Sequence, residues 1–124
     1  MSMDFKEPTA IYQQIADYGL DQVLNGSWAK SERIPSVRSL AGEVGVNPNT
    51  VMRAFDYLDR EGIIYNQRGR GFFVSEDGQN KARALRKEQF MLNTLPQLSS
   101  DLALLKISPE ELLQLLNNLK IKQS

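Results

Sequence analysis

The stretch that decides the fold is Ile34–Val74, which reads IPSVRSLAGEVGVNPNTVMRAFDYLDREGIIYNQRGRGFFV. It holds two helix-forming segments joined by a glycine turn, then two β-favouring runs joined by a loop rich in glycine and arginine. Ser36 and Asn47 are polar caps that predict the starts of the two helices, and Pro48 suits the first position of the second one. Helix, turn, helix and basic hairpin, in that order, are typical of a winged helix-turn-helix.

The segment before this stretch predicts one further helix. Apolar residues recur at helical spacing from Thr9 to Asn25, where Asn25-Gly26 is a stop signal. Residues 1–8 are expected to form a short arm. We therefore predict a mainly α fold with a small β-hairpin, in which residues 1–76 form one winged helix-turn-helix domain.

The sequence changes character after the hairpin. Residues 77–106 favour helix, and Pro96 within them is expected to kink or break it. Ser108 opens a capping box that predicts a last helix running to about Leu119. Residues 77–124 are thus predicted to form a short helical dimerisation and effector region.

This helical region is rich in leucine, a composition that has two interpretations. As the core of a single chain, it is too small to bury so many apolar side chains. As an oligomerisation element, it would pack its leucines against a second copy across a two-fold axis, and we favour this homodimer. The leucines predicted to form the interface are Leu85, Leu92, Leu95, Leu98, Leu102, Leu105, Leu112, Leu115, Leu116 and Leu119.

Composition argues against several functions. The 124 residues include no cysteine and no histidine, so thiol chemistry, the usual metal ligand and the usual general base are missing. No pair of acidic residues is flanked by apolar residues as an acid–base site would be, so we expect no enzyme, no metal and no cofactor. No apolar run could span a membrane and the start resembles no signal peptide, so a cytoplasmic protein is expected.

Net charge is zero, but its distribution favours contact with phosphates in one segment. Residues 30–70 hold seven basic and five acidic residues, which leaves +2 there. Phosphate contact needs a local basic face and not a basic protein. A further basic run over residues 81–87 is expected to be a solvated helix face, with contact to the DNA backbone as the alternative.

The outward face of the second helix of the motif carries the candidate reading residues. Asn49 and Arg53 lie one turn apart on it, where the first turns of such a helix enter the major groove. Asn pairs well with adenine and Arg with guanine. The alternative is structural: Asn49 and Thr50 would only cap the helix, and Arg53 would pair with Asp56 or Asp59. The flanking pattern favours the reading role.

The helix before it and the hairpin supply the remaining candidates. Arg38 begins a helix whose N-terminal N–H groups favour anions, so it is the best candidate for a phosphate contact, with pairing to Glu43 as the alternative. Arginine and glycine at the hairpin tip suit a narrow minor groove. The predicted DNA-binding residues are Ser36, Arg38, Ser39, Asn47, Asn49, Thr50, Arg53, Tyr57, Arg68, Gly69 and Arg70.

Four motifs together resemble the bacterial GntR family of transcriptional regulators. They are Pro35-Ser36-x-Arg38-x-Leu40-Ala41, Gly45-Val46-Asn47-Pro48-x-Thr50-Val51, Leu58-x-x-Glu61-Gly62 and Gly69-x-Gly71-x-Phe73-Val74. The resemblance implies a DNA-contacting arginine at Arg38 and a wing tip that touches the minor groove.

The chain departs from many members of that family at the start of the second helix. They often have Ser-Arg-x-Thr where this chain has Asn47-Pro48-Asn49-Thr50, so an arginine that reads a base is missing. Specificity is expected to shift to Asn49, Arg53 and the wing. Asn-Pro-x-Thr also occurs in the YtrA-like subgroup, whose C-terminal part is very short, as residues 77–124 are here.

The predicted function is a homodimeric repressor that binds an inverted-repeat operator in double-stranded DNA. The alternative is a winged-helix protein–protein module without DNA affinity, which would be expected to lack Arg53 and the wing arginines. A small-molecule effector site within one protomer is not expected, and one between protomers stays open.

Overall fold

A computed structural model of the chain describes residues 8–123, so the predicted arm over residues 1–8 lies almost entirely outside the described residues. The chain divides into two compact units, one ending at Arg86 and the other beginning at Lys87. Throughout the described range, no helix is long and apolar enough to cross a membrane. The mainly α fold with one two-stranded hairpin is confirmed.

The elements of the first unit follow the predicted order, and local capping explains where its helices begin and end. Ser36 Oγ accepts a hydrogen bond from the Ser39 N–H at 3.1 Å, and Asn47 Oδ1 accepts one from the Asn49 N–H at 2.8 Å. Gly45 ends the helix between them in the left-handed region at φ 75°. The elements are α1 Pro8–Leu24, α2 Val37–Val44, α3 Pro48–Arg60, β1 Ile64–Gln67, β2 Gly71–Val74 and α4 Gly78–Gln89.

The two strands form an antiparallel wing. On the edge of β2 away from β1, the connector between α1 and α2 is hydrogen-bonded to it. Ile64 pairs with Val74 at the base, and Gln67 pairs with Gly71 at the tip. The Ile34 N–H donates to the Phe72 carbonyl at 3.0 Å, and the Ser31 N–H donates to the Val74 carbonyl at 3.0 Å. β2 is therefore hydrogen-bonded along both edges, which fixes the wing to the helices.

The core of the first unit is centred on an aromatic row. Phe55 of α3 is 1% exposed and meets Trp28 and Phe72 edge to face, with ring centroids 6.3 Å and 5.0 Å away. The inward stripe of α3 is buried along its whole length, which leaves the opposite face of the helix free to carry the polar residues. That stripe consists of Val51, Ala54, Phe55 and Leu58.

The start of α4 packs tightly on this core, so the compact unit extends ten residues beyond the boundary predicted at residue 76. Ala82 is fully buried, and Leu85 packs against the core as well. Gly78 lies so close to β1 that an added Cβ would stand 2.5 Å from the Ile63 carbonyl oxygen. Leu85, predicted as a dimer residue, is therefore partly buried within its own unit.

Polar contacts also tie α4 to α1. Gln79 Nε2 donates to the Leu24 carbonyl at 3.3 Å at the end of α1, where carbonyls lack helical partners. Arg86 donates to the Asp17 carbonyl at 3.1 Å and pairs with the Asp21 carboxylate. Partial burial raises the pKa of the Asp17 carboxyl, while the Arg86 charge opposes that shift. The expectation of a wholly solvated basic run was thus wrong at Arg86.

The second unit consists of helices, and the helix that contains Pro96 is not broken at the proline. A π-helical segment, Phe90–Thr94, precedes α5 Leu95–Leu105, and the Leu95 N–H donates to the Phe90 carbonyl. The wider turn fits the proline, which has no N–H and would crowd the carbonyl four residues earlier. α6 Pro109–Gln123 begins as predicted, with Ser108 Oγ accepting from the Glu111 N–H at 3.1 Å.

Candidate nucleic-acid interface

The N-terminal turns of α3 present an exposed polar face. Asn49 and Arg53 are exposed, and Thr50 is half-buried. Asn47, and not Asn49, supplies the side-chain cap, so Asn49 contributes only its backbone N–H to capping. Within residues 8–123, the side chain of Asn49 takes part in no hydrogen bond, which leaves its amide available to a partner.

Arg53 contacts an aromatic ring and not a carboxylate. Its guanidinium carbon stands 4.2 Å from the ring centroid of Tyr12, on α1. In the described part of the chain, Arg53 forms no ion pair with Asp56 or Asp59, the structural alternative considered above. Tyr57, predicted on the same face, is half-buried and packs against the hydrophobic core.

The N-terminus of α2 adds a second exposed group. Ser36 is the cap, and Arg38 and Ser39 are exposed beside it. No ion pair to Arg38 is formed by any described residue, so the alternative pairing with Glu43 is not observed. The Arg38 charge therefore faces solvent.

The wing tip is a tight turn with two exposed arginines. The Arg70 N–H donates to the Gln67 carbonyl at 2.8 Å, and Gly69 takes φ 79°, a conformation that L side chains rarely adopt. Arg68, Gly69 and Arg70 are all exposed. Neither arginine is neutralised by a carboxylate of the described chain.

Sequence reasoning missed Arg33 and Met52 as members of this surface. Arg33 is exposed and bridges to Phe73 of β2, and its Nε is 3.0 Å from where a Cβ on Gly71 would lie. It therefore adds a third arginine to the wing, across the glycine. Met52 is 37% exposed on α3 between Asn49 and Arg53. The only sequence signal for Arg33 was its share in the positive charge of residues 30–70.

All the predicted DNA-binding residues lie in the first unit, and none of them is buried. Among residues 8–123, no group of three carboxylate side chains is placed to hold a metal ion. The surface thus offers amide, hydroxyl and guanidinium donors carried by α2, α3 and the wing. These are the groups that recognise base edges and phosphates.

Comparison with known proteins agrees with this geometry. Residues 11–74 match the family described as "Bacterial regulatory proteins, gntR family". The HTH-type transcriptional repressor YtrA of Bacillus subtilis (strain 168) is 40% identical over 79 residues, which are 64% of this chain and 61% of the repressor.

Solved structures extend the similarity beyond the matched segment. A GntR family transcriptional regulator from Listeria monocytogenes has a TM-score of 0.76 and 28% identity, over 94% of this chain and 98% of that one. The DNA-binding domain of AraR, solved in complex with operator ORE1, has a TM-score of 0.52 and 25% identity, over 60% of this chain and 89% of that one.

These findings confirm the winged helix-turn-helix and the resemblance to YtrA-like regulators. The family is one of transcriptional regulators and not of enzymes. Because the matched range covers half of the chain and contains α2, α3 and the wing, the chain belongs to the gntR family of bacterial regulatory proteins.

Proposed function

We propose that the protein is a cytoplasmic, sequence-specific transcriptional repressor that binds an inverted-repeat DNA operator as a homodimer. The observation that carries this proposal is the exposed face of α3, on which Asn49 and Arg53 form no hydrogen bond or ion pair with other described side chains. A protein–protein module would not require arginines without carboxylate partners around such a helix. The similarity to AraR(DBD), which was solved in complex with operator ORE1, supports DNA binding by the first unit.

Sequence is read, in this proposal, by the first turns of α3 in the major groove. The Asn49 amide suits adenine and the Arg53 guanidinium suits guanine. Pro48 stands where many relatives have an arginine that reads a base, and it can donate no hydrogen bond, so in this proposal Asn49 and Arg53 carry the direct contacts. Thr50 contacts a phosphate or a thymine methyl group in the same proposal.

Position and register are set, in this proposal, by arginines around α3. Arg38 meets a phosphate beside the N-terminus of α2, where the helix end also favours negative charge. Arg68 and Arg70 contact the minor groove, and Gly69 lets the backbone approach closely. Arg33 strengthens the positive potential at the same side of the wing.

The dimer is built, in this proposal, by the second unit. No residue of α5 is buried, and Leu105 is 67% exposed and Leu113 60% exposed. Such a density of exposed leucine is unusual for a surface that stays in water. The predicted interface leucines in this unit are exposed or half-buried, which leaves them available: Leu92, Leu95, Leu98, Leu102, Leu105, Leu112, Leu115, Leu116 and Leu119.

Alanine substitutions test the division of labour between reading and positioning. We expect Arg53→Ala to weaken operator binding by about 1–3 kcal/mol with much less loss on random DNA, because it removes a base contact. Arg38→Ala should weaken binding to both DNAs alike and reduce the salt slope by about one, because it removes one phosphate contact. Titration of both variants on both DNAs at several salt concentrations measures this.

Lys120 is a suitable control, since it is exposed on α6, in the unit that carries none of the predicted DNA-binding residues. Lys120→Ala should leave both affinities and the salt slope unchanged. Equal weakening of both DNAs by Arg53→Ala would show that Arg53 does not read sequence.

Selection of bound sequences from a random pool tests the symmetry. Two copies of the Asn49–Arg53 face related by a two-fold axis should select an inverted repeat, with half-site centres roughly 10 bp apart or a multiple of it. An A·T-rich stretch is expected beneath Arg68 and Gly69, where a narrow minor groove attracts arginine. A direct repeat or a single asymmetric site would refute the symmetric docking, and indifference to A·T content would refute only the wing contact.

A further inference from the structure

The contact between Arg53 and Tyr12 joins the predicted reading residue to a helix that lies outside the helix-turn-helix. The guanidinium carbon is 4.2 Å from the ring centroid, inside the range of cation–π attraction. Tyr12 is half-buried and packs against the hydrophobic core, so its ring is anchored. Arg53 itself is exposed, which leaves the remainder of its surface open to a partner.

A contact with an aromatic ring and an ion pair differ in how many N–H donors of the guanidinium they occupy. A guanidinium carries five N–H donors, and an uncharged aromatic ring neither neutralises its charge nor offers an oxygen to accept those N–H groups. A carboxylate would instead accept two of those N–H groups and neutralise the charge. Tyr12 therefore holds Arg53 in place while its donors stay available for a base edge.

Holding the side chain also reduces the cost of binding. A free arginine side chain loses rotamer freedom when it docks, and groups fixed beforehand lose less. Asp56 lies three residues after Arg53 on α3, a spacing at which opposite charges attract. Without the ring, Arg53 would be drawn toward that carboxylate.

We infer that Tyr12 is a specificity-determining positioning residue, which presents the Arg53 guanidinium to the operator without touching a base. This inference rests on the proposed function. It brings α1 into sequence recognition, through one side chain whose loss should affect the operator and spare random DNA.

Variants at both positions of the 124-residue chain test the inference. Tyr12→Leu should lower operator affinity about three- to tenfold, the scale of a partly desolvated cation–π contact, and change random-DNA affinity less than twofold. Tyr12→Phe, which retains the ring face, should stay within about twofold of the native chain on both DNAs. In the Arg53→Ala background, Tyr12→Leu should cause no further loss, because the group it positions is absent.

These measurements distinguish a Tyr12 that positions Arg53 from a Tyr12 that only packs against the hydrophobic core. Equal loss on both DNAs, equal effects of Tyr12→Leu and Tyr12→Phe, or a further loss in the Arg53→Ala background would overturn the inference. Thermal unfolding and sedimentation of each variant identify any general destabilisation. If Arg53→Ala leaves operator binding intact, the reading role in the proposed function fails too. If Arg53→Ala weakens operator binding but Tyr12→Leu does not, only the inference about Tyr12 fails.

Discussion

A chain that ends at Arg86 is expected to be a folded monomer that binds the operator roughly 10²- to 10⁴-fold more weakly than the proposed dimer of the 124-residue chain. The first unit keeps its own core without the residues that follow, since its buried side chains all lie at or before Ala82. Each copy retains its reading face. Only the linkage of two half-site contacts is lost, because the exposed leucines that would join the copies are removed.

A chain ending at Glu76 is the matched comparison, because it also lacks the start of α4. That shorter chain loses the buried Ala82 and the Gln79 hydrogen bond to the end of α1. It should therefore unfold at lower urea concentration than the chain ending at Arg86. Circular dichroism measures the folding of both, sedimentation at micromolar concentration their mass, and titration their affinity. If the 124-residue chain is a monomer, or the chain ending at Arg86 is a dimer, the proposed interface is contradicted.

Phe55→Ala is expected to lower the free energy of unfolding by about 3–5 kcal/mol, the usual cost of removing a buried phenyl ring. The ring is 1% exposed and lies between Trp28 of the connector and Phe72 of the wing. Its removal leaves a cavity and takes one edge-to-face contact from Phe72 and one from Trp28, which still meets Tyr18. The packing contacts that are lost lie where α3, the connector and the wing meet.

Met52→Ala is the control on the same helix, three residues earlier. Met52 is 37% exposed, so its truncation should change the free energy of unfolding by no more than about 0.5 kcal/mol. Urea unfolding of the native chain and the two variants is compared at one fixed protein concentration, since the proposed dimerisation would make stability depend on concentration. A loss under about 1 kcal/mol for Phe55→Ala would mean that the core collapses around the missing ring.

The parts of the fold that the sequence predicted well are those governed by local chemistry. The caps at Ser36 and Asn47 act on their own helices, and the glycines of the wing act on their own turn. The docking of α4 was missed because it depends on small residues: Ala82 is buried and Gly78 fits against the Ile63 backbone. Neither residue produces an apolar stripe that a sequence pattern would reveal.

The candidate site shows the same limit. Residue type and spacing indicated exposed arginines in α2, α3 and the wing, and these are exposed. The partner of Arg53 was not predictable, since Tyr12 lies on another helix far back in the chain. Arg33 was overlooked for a similar reason: only the pairing of the connector with β2 brings it beside Gly71.

That pairing of the connector with β2 also constrains the order in which the molecule folds. A hairpin of two four-residue strands is marginal by itself in water. The hydrogen bonds that support it come from Ser31 and Ile34, which approach β2 only after the intervening helices have closed a long loop. We therefore expect the wing to form late in folding and to open together with the helices. The Ile34 amide, bonded to Phe72, should accordingly exchange its hydrogen only through global unfolding.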